Sequence, residues 1–170
     1  GATSTTYTLT QSDVGSVITV TASYTDAQGT AESSTSAATS AVANVNDAPT
    51  GSVTIAGSVT EGQVLTAANT LADEDGMGTV TYTWSNGATG ATVTLAQSDV
   101  GNAMTVTAAY TDAQGGSESV ASTATAAVAN VNDDPTGSVT ISGTVAEDSV
   151  LTAANTLADE DGMGTVTYTW

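Results

Sequence analysis

The 170-residue chain contains no lysine, arginine, histidine or cysteine, whereas aspartate and glutamate together number 18. The formal net charge is therefore −18, with no basic side chain to offset any of it. Because bases are needed to neutralise phosphates, we expect neither nucleic acid nor an anionic membrane surface as a partner. The missing cysteine excludes disulfides and zinc–thiolate sites, and the missing histidine removes the commonest general base.

Bulky apolar residues are also scarce. Phenylalanine is absent, and the apolar fraction is 39%, below the usual 45–50%. No apolar run approaches the roughly 18 residues that a membrane-spanning helix needs, so we expect no membrane insertion. Threonine and valine are abundant, and both favour strands over helices. Because the chain begins at Gly1 rather than at a methionine, we expect an interior piece of a longer protein.

The sequence repeats itself with a period of 86 residues. The stretch Val45-Asn46-Asp47-Ala48-Pro49-Thr50-Gly51 returns at residues 131–137 with a single change, Asp134 for Ala48. Leu65–Trp84 returns unchanged as Leu151–Trp170, and about three quarters of all aligned positions are identical. Such a period is long for a solenoid unit and close to the ~100 residues of a small β-sandwich. We therefore predict tandem repeats, each the size of a whole domain.

Several short stretches alternate between apolar and polar residues, as half-buried strands do. They are Val53–Ile55, Leu65–Ala67, Val80–Trp84, Val93–Leu95 and Met104–Tyr110. Turn signals such as Asn86-Gly87 and Gly115-Gly116 separate them. About six or seven such strands per repeat predict an all-β fold, an antiparallel β-sandwich of the cadherin-like or immunoglobulin-like kind with Trp84 in its core.

The two prolines indicate where the repeats meet. Pro49 and Pro135 each close an Asn-Asp-x-Pro run and precede a new strand, as a linker residue does. On these boundaries residues 47–132 form one complete repeat. Residues 1–46 are then the C-terminal half of a preceding repeat, and residues 133–170 the N-terminal half of a following one. A cut near Ser85, which gives permuted units 1–84 and 85–170, is the alternative.

The preferred boundaries make the two terminal halves complementary. Each half lacks the strands that the other supplies, so each exposes an incomplete sandwich. We expect neighbouring repeats of the same protein to complete them. Where a second chain does so, the C-terminal half of one copy pairs with the N-terminal half of the next, and the result is a head-to-tail homo-oligomer.

The acidic residues follow the repeat as well, since only Asp134 and Asp148 have no acidic counterpart one period away. Clustered carboxylates without cations repel one another, and a bound hard cation relieves the repulsion. Asp73 and Asp75 can converge because alternate residues of an extended segment face the same way, and Glu61 can approach from the same pole. Calcium accepts six to eight oxygen ligands of this kind.

Each of these positions also has a structural interpretation. Asp-rich turns are often solvated surface, which is the alternative for the Asp73 cluster. Asp26 and Asp112 are balanced between turn and ligand, whereas Asp13 and Asp99 suit structural turns. Glu32 and Glu118 suit solvated strand faces.

Three motifs resemble those of cadherin repeats. Ala72-Asp73-Glu74-Asp75-Gly76 with Val80-Thr81-Tyr82 is similar to the A-x-D-x-D and V-x-Y patterns, and Asn44–Pro49 resembles the linker D-x-N-D-N-x-P. Ile18–Ala22, followed by Asp26 and Gly29, is similar to the strand before that linker. The whole chain resembles the cadherin-like and immunoglobulin-like extender repeats of giant bacterial surface adhesins, where V-N-D-A-P-T-G recurs in long arrays exported by type I secretion.

The resemblance implies calcium at the junctions between repeats. The ligands it implies are Asn44, Asn46, Asp47, Asp26, Glu61, Asp73 and Asp75, and one period on Asn130, Asn132, Asp133, Asp112, Glu147, Asp159 and Asp161. Because Ala72, Asn44 and Ala48 depart from the cadherin patterns, we expect one ion per junction.

These observations predict a calcium-stabilised extracellular spacer that holds a bacterial adhesin away from the cell surface. A fibre module that assembles by half-domain complementation is one alternative. A glycan-binding or ice-binding module, using a flat threonine face such as Thr79, Thr81 and Thr83, is another. We do not expect an enzyme, because short duplicated sandwiches offer no evident cleft.

Overall fold

The computed structural model describes residues 4–170, so the first three residues of the predicted segment 1–46 lie outside the described range. The fold is all-β, with two short 3₁₀ helices at Gln11–Asp13 and Gln97–Asp99. The strands are β1 (Thr21–Thr25), β2 (Ala31–Thr35), β3 (Val53–Ala56), β4 (Val64–Asn69), β5 (Thr81–Trp84), β6 (Thr92–Thr94), β7 (Val106–Thr111), β8 (Ser117–Ala121), β9 (Val139–Gly143) and β10 (Leu151–Asn155). No helix within residues 4–170 is long and apolar enough to cross a membrane.

The described strands form four small sheets, with the orders β1-β2, β10-β9, β3-β4-β6 and β5-β7-β8. The chain divides into two compact units. The first comprises Gly1–Ser52, Thr70–Val80 and Ala108–Val120, and the second comprises Val53–Asn69, Thr81–Thr107 and Ala121–Trp170. Because the units interleave along the chain, they test neither of the alternative repeat boundaries. The boundaries at 47 and 132 therefore stay a prediction.

The second unit contains a well-formed hydrophobic core. Strand β4 lies antiparallel to both β3 and β6, with Leu65 opposite Val93. Leu65 is fully buried, and Ala67, two residues along the same strand, is 6% exposed. The remaining buried apolar side chains of this unit are Val53, Trp84, Leu95, Met104, Val106 and Val128. The burial pattern confirms the predicted two-residue alternation, because intervening residues such as Thr66 face solvent.

Trp84 lies in this core, as the sequence predicts, with 2% of its surface exposed. Its indole Nε1 donates to the Gly90 carbonyl oxygen at 2.9 Å, so its one polar atom is also satisfied. The chain reverses directly after it, where the Gly87 amide donates to the Trp84 carbonyl oxygen. Gly87 has φ +88°, which glycine adopts without steric cost, and the predicted Asn86-Gly87 turn is confirmed.

The first unit has a two-stranded antiparallel ribbon whose strands are exposed throughout. Strands β1 and β2 pair with Tyr24 opposite Glu32. Beyond the ribbon, the Gly15 amide donates to the Val42 carbonyl oxygen, which ties the first 3₁₀ helix to the segment before the linker. The part of β7 that belongs to this unit continues the alternation of that strand, with Ala108 and Tyr110 buried.

One pair of identical segments adopts two different structures. Thr81–Trp84 forms β5, whereas Thr167–Trp170, which has the same sequence in the same local context, is not a strand. Trp84 is 2% exposed and Trp170 is 71% exposed. Since the local sequences match, the difference comes from the partner strands that each segment meets.

This difference makes a matched mutational test possible. We expect Trp84→Ala to lower the free energy of unfolding by about 3–5 kcal/mol, because it empties a large core site. Trp170→Ala should change it by less than about 0.5 kcal/mol, as exposed substitutions generally do. Urea unfolding at a concentration where light scattering shows monomers compares the two. Equal losses would contradict the assignment of Trp84 to the core.

Candidate functional site

The carboxylate of Asp75 joins three segments of the first unit. Asp75 is 3% exposed. Its Oδ1 accepts from Nε2 of Gln11 at 2.7 Å, and its Oδ2 accepts from the backbone amide of Asp47 at 2.7 Å. Gln11 begins the first 3₁₀ helix, and Asp47 belongs to the Asn-Asp linker. We call this arrangement the linker clasp. It satisfies a buried charge with neutral donors, through hydrogen bonds that are strengthened because the acceptor is ionised.

Asp73 organises the loop that carries Asp75. Its Oδ1 accepts from the Asp75 amide at 2.9 Å, and its Oδ2 accepts from the Tyr110 hydroxyl at 2.5 Å. Burial, and then the hydrogen bond to Asp73, raise the pKa of Tyr110. Asp73 therefore fixes the loop backbone on one side and a buried tyrosine on the other.

Asp112 has one oxygen that no donor reaches. It is 6% exposed, and its Oδ1 accepts from the amides of Gln114 and Gly116 at 2.8 Å each. Its Oδ2 is buried and has no hydrogen-bond partner among residues 4–170. That oxygen lies 2.4 Å from the point where a Cβ on Gly116 would stand, and Oδ1 of Asn46 lies 2.2 Å from the same point. Two acceptor oxygens thus face one small space, which the glycine leaves open. We call this space the Gly116 cradle.

Glu118 and Asn44 add oxygen atoms to the same linker region. Nδ2 of Asn46 donates to Oε1 of Glu118 at 2.7 Å, which leaves Oδ1 of Asn46 to face the cradle. Glu118 is half-buried, so the prediction of a solvated strand face is wrong for this residue. Oδ1 of Asn44 is buried without a partner in the described part of the chain. The donor set is therefore all oxygen, which suits a hard cation such as calcium.

The second unit repeats the linker clasp one period further along. Oδ2 of Asp161 accepts from the Asp133 amide at 2.9 Å, and its Oδ1 accepts from Nε2 of Gln97 at 3.2 Å. The Asp133 amide above all, with help from Asn130 and Gln97, lowers the pKa of Asp161. Asp159 plays the part of Asp73, because its Oδ1 accepts from the Asp161 amide at 2.9 Å. Unlike Asp75, Asp161 is exposed.

Several other predicted ligands also lie in the second unit. Oε2 of Glu61 accepts from the Val131 amide at 3.2 Å, so Glu61 lies beside the linker that contains Asn130, Asn132 and Asp133. Asn132 donates from Nδ2 to the Asp133 carbonyl oxygen at 3.0 Å. Oδ2 of Asp133 is buried without a partner among the described residues. Glu147 is exposed.

Asp26 and Asp112 form the same turn in successive repeats. Oδ1 of Asp26 accepts from the amides of Gln28 and Thr30 at 2.9 and 2.8 Å, just as Asp112 accepts from Gln114 and Gly116. The position of Gly116 is taken by Thr30, which has its own Cβ. The turn therefore recurs, but the glycine that opens the cradle does not.

Asp13 and Asp99 have the structural turn roles that the sequence predicts. Asp99 is 5% exposed and accepts from the Ala96 amide at 3.0 Å and from Nδ2 of Asn86. Asp13 accepts from the Thr10 amide and from the Tyr7 hydroxyl, each at 2.9 Å. The Thr10 amide, followed by the Tyr7 hydroxyl, lowers the pKa of Asp13.

Sequence reasoning missed the two clasp glutamines, Gln11 and Gln97, as well as Tyr110, Gly116 and Glu118. A signal for the glutamines exists, because both occupy the first position of the repeated Gln-Ser-Asp-Val-Gly motif. Within residues 4–170, no group of three or more acidic side chains is arranged to hold a metal ion. Comparison of the chain with known protein families, curated proteins and solved structures found no match.

The unequal burial of the two clasps leads to a testable difference. Asp75→Asn should lower the free energy of unfolding by about 1–3 kcal/mol, because the amide group can accept only one of the two donated hydrogen bonds in a buried place. Asp161→Asn should cost less, since water replaces the lost bond at an exposed position. Urea unfolding with chelator present measures both. A larger loss for Asp161→Asn would contradict the clasp as described.

The Tyr110–Asp73 pair leads to a prediction about alkaline pH. Because the pKa of Tyr110 is raised, its neutral phenol stabilises the fold below pH ~10. That stabilisation is lost as the pH rises through the raised value. Ultraviolet titration, with Tyr110→Phe to assign the transition, should show Tyr110 ionising above the ordinary range. Asp73→Asn should lower its pKa, and an unmoved titration would contradict the contact.

Proposed function

We propose that the chain belongs to an array of calcium-stabilised, cadherin-like β-sandwich repeats that acts as an extracellular spacer. In this role the array projects a bacterial surface adhesin away from the cell and stiffens it. The observation that carries the proposal is the recurrence of the linker clasp with the period of the sequence. The Asp47 amide meets Asp75 at 2.7 Å, and one period later the Asp133 amide meets Asp161 at 2.9 Å.

A spacer needs junctions that do not bend freely, and the clasp meets this need. Each clasp aspartate accepts from the linker backbone on one side and from a glutamine of a 3₁₀ helix on the other. On the proline boundaries that helix belongs to the preceding repeat, whereas the aspartate belongs to the following one. The same three groups therefore tie together two repeats and the linker between them, at every junction of the array.

Calcium fits the residues of the first junction. Asp112 and Asn46 would supply the two oxygens that face the Gly116 cradle, with Glu118 next to them. Calcium would add the positive charge that the chain lacks, and backbone carbonyls and water would complete its six to eight ligands. Both oxygens of Asp75 already accept hydrogen bonds, so in this proposal Asp75 positions the linker. The proposed ligand set thus differs from the one that the resemblance implies.

Composition supports the proposed location outside a bacterial cell. A cysteine-free chain with a net charge of −18 repels itself in the absence of cations. We propose that such a chain stays unfolded for type I secretion and folds where extracellular calcium is plentiful.

A matched pair of substitutions tests the calcium site. In the wild-type chain, calcium at a hundredfold excess over its Kd should stabilise the fold by about 2.7 kcal/mol relative to chelator. Asp112→Asn should abolish this gain, because it replaces the free carboxylate oxygen. Asp26→Asn, its counterpart one period earlier in the same type of turn, should leave the gain intact. Thermal melts with calcium and with chelator provide the comparison.

Gly116→Ala gives a second route to the same conclusion. Its backbone does not have the positive φ that would strain an alanine, and the new Cβ would occupy the cradle. We expect the calcium-dependent rise in melting temperature to disappear. A calcium response that survives both Asp112→Asn and Gly116→Ala would exclude the cradle, and no response in the wild type would overturn the calcium proposal.

The mechanical part of the proposal has its own test. Small-angle scattering of the chain should give a longer and more uniform particle in calcium than in chelator, because a flexible junction shortens the average end-to-end distance. If the scattering profiles coincide while calcium still raises the melting temperature, calcium stabilises the repeats without stiffening them, and the spacer role of the ion fails.

A further inference from the structure

We propose that a second copy of the chain completes the half-repeats at its two ends. In this assembly the face of residues 139–170 in one copy packs against residues 4–46 of the next. The inference is independent of calcium. It comes from comparing residues that hold the same position in successive repeats but differ in exposure.

The C-terminal face exposes side chains that the complete repeat buries. Trp170 is 71% exposed, whereas Trp84, one period earlier, is 2% exposed. Val139 is 57% exposed, and its counterpart Val53 is 5% exposed. A tryptophan and a valine in water at positions built for a core are an unpartnered apolar face.

The N-terminal face shows the reverse half of the same pattern. Val20 and Tyr24 are 66% and 65% exposed, whereas Val106 and Tyr110 are 0% and 5% exposed. Leu9 is 51% exposed against 1% for its counterpart Leu95. These residues occupy the positions that, in the complete repeat, lie on the strands after Trp84.

The complete repeat shows what covers the C-terminal face. Within the second unit, β4 pairs with β6, and Leu65 stands opposite Val93. The Leu95 amide donates to the Gln63 carbonyl oxygen at 2.9 Å, and the Ala67 amide donates to Ala91 at 2.8 Å.

The counterpart of β4 is β10, which among the described strands pairs only with β9. The counterpart of β6 is residues 6–8, which form no strand. A second copy would therefore place its residues 6–8 along β10, with its Tyr7 opposite Leu151. Tyr7 stands for Val93 there, and the apolar character of the position is kept.

The two faces are different surfaces, so the contact is heterologous. Each copy offers one face of each kind, and association continues from front to back as an open chain of copies unless it closes into a ring. Every copy carries a charge of −18, so repulsion opposes the contact at low salt. We therefore expect association to strengthen as added salt screens the charges.

Two exposed substitutions and a matched control test the proposal. Trp170→Ser damages the C-terminal face, and Val20→Ser damages the N-terminal face. Val150→Ser is the control: Val150 is 80% exposed, but its counterpart Val64 stays 50% exposed in the complete repeat, so the proposed contact does not cover it. All three sites are in water, so the fold should survive, which circular dichroism checks.

Sedimentation velocity over a concentration series in 0.5 M sodium chloride gives the readout. The wild type and Val150→Ser should form a ladder of oligomers, whereas Trp170→Ser and Val20→Ser alone should associate at least about tenfold more weakly. Mixed together, the two damaged variants should form 1:1 dimers that grow no further, because each retains the face that the other lacks. A monomeric wild type, a mixture that stays monomeric, or variants that assemble as well as the wild type would each overturn the proposal.

Discussion

The carboxylates of this chain must be balanced without a single basic side chain, and the junction between repeats is built around that constraint. Asp75 is 3% exposed, yet both of its oxygens accept from neutral N–H groups at 2.7 Å. Those donors come from the linker and from the first 3₁₀ helix, so the need to satisfy one buried charge determines where both segments lie. Asp112 is the place where neutral donors run out. One of its oxygens faces Asn46 Oδ1 across the Gly116 cradle with no donor between them. A buried acceptor in that state costs free energy unless something positive reaches it.

The repeat is a unit of sequence, but its stability depends on strand pairing between its two halves. Residues 64–84 and 150–170 are identical, and yet Trp84 is buried and Trp170 is in water. The strands around Trp84 supply β6 and its register with β4, and nothing in the described chain supplies these to β10. A half-repeat is therefore an open interface, and the next segment of matching sequence is its natural partner. The same physics suits a spacer, since each repeat is completed within a tandem array and is held to its neighbour by the clasp.

Periodicity along the chain predicted the strands and the core correctly, because alternation over a few residues is a local signal. Leu65 with Ala67, the Asn86-Gly87 turn and the core position of Trp84 are examples. The clasp escaped prediction because Gln11 and Asp75 are 64 residues apart, and spacing alone does not show which loop a side chain reaches. Glu118 escaped for the same reason, since its partner Asn46 lies 72 residues away. The acidic repeat did indicate where charge concentrates. It did not show that Asp75 spends both oxygens on hydrogen bonds whereas Asp112 keeps one free.

Isothermal titration of calcium into the chelator-treated chain tests the central claim most directly, because it measures whether the uncompensated carboxylates bind a hard cation. The account predicts saturable binding of one ion per chain, at the one cradle formed between a linker and a glycine turn. Magnesium should bind more weakly, since it demands a tighter octahedral arrangement. Heats indistinguishable from dilution, or binding that never saturates, would contradict the account and leave the clasps as the only device that holds the junctions together.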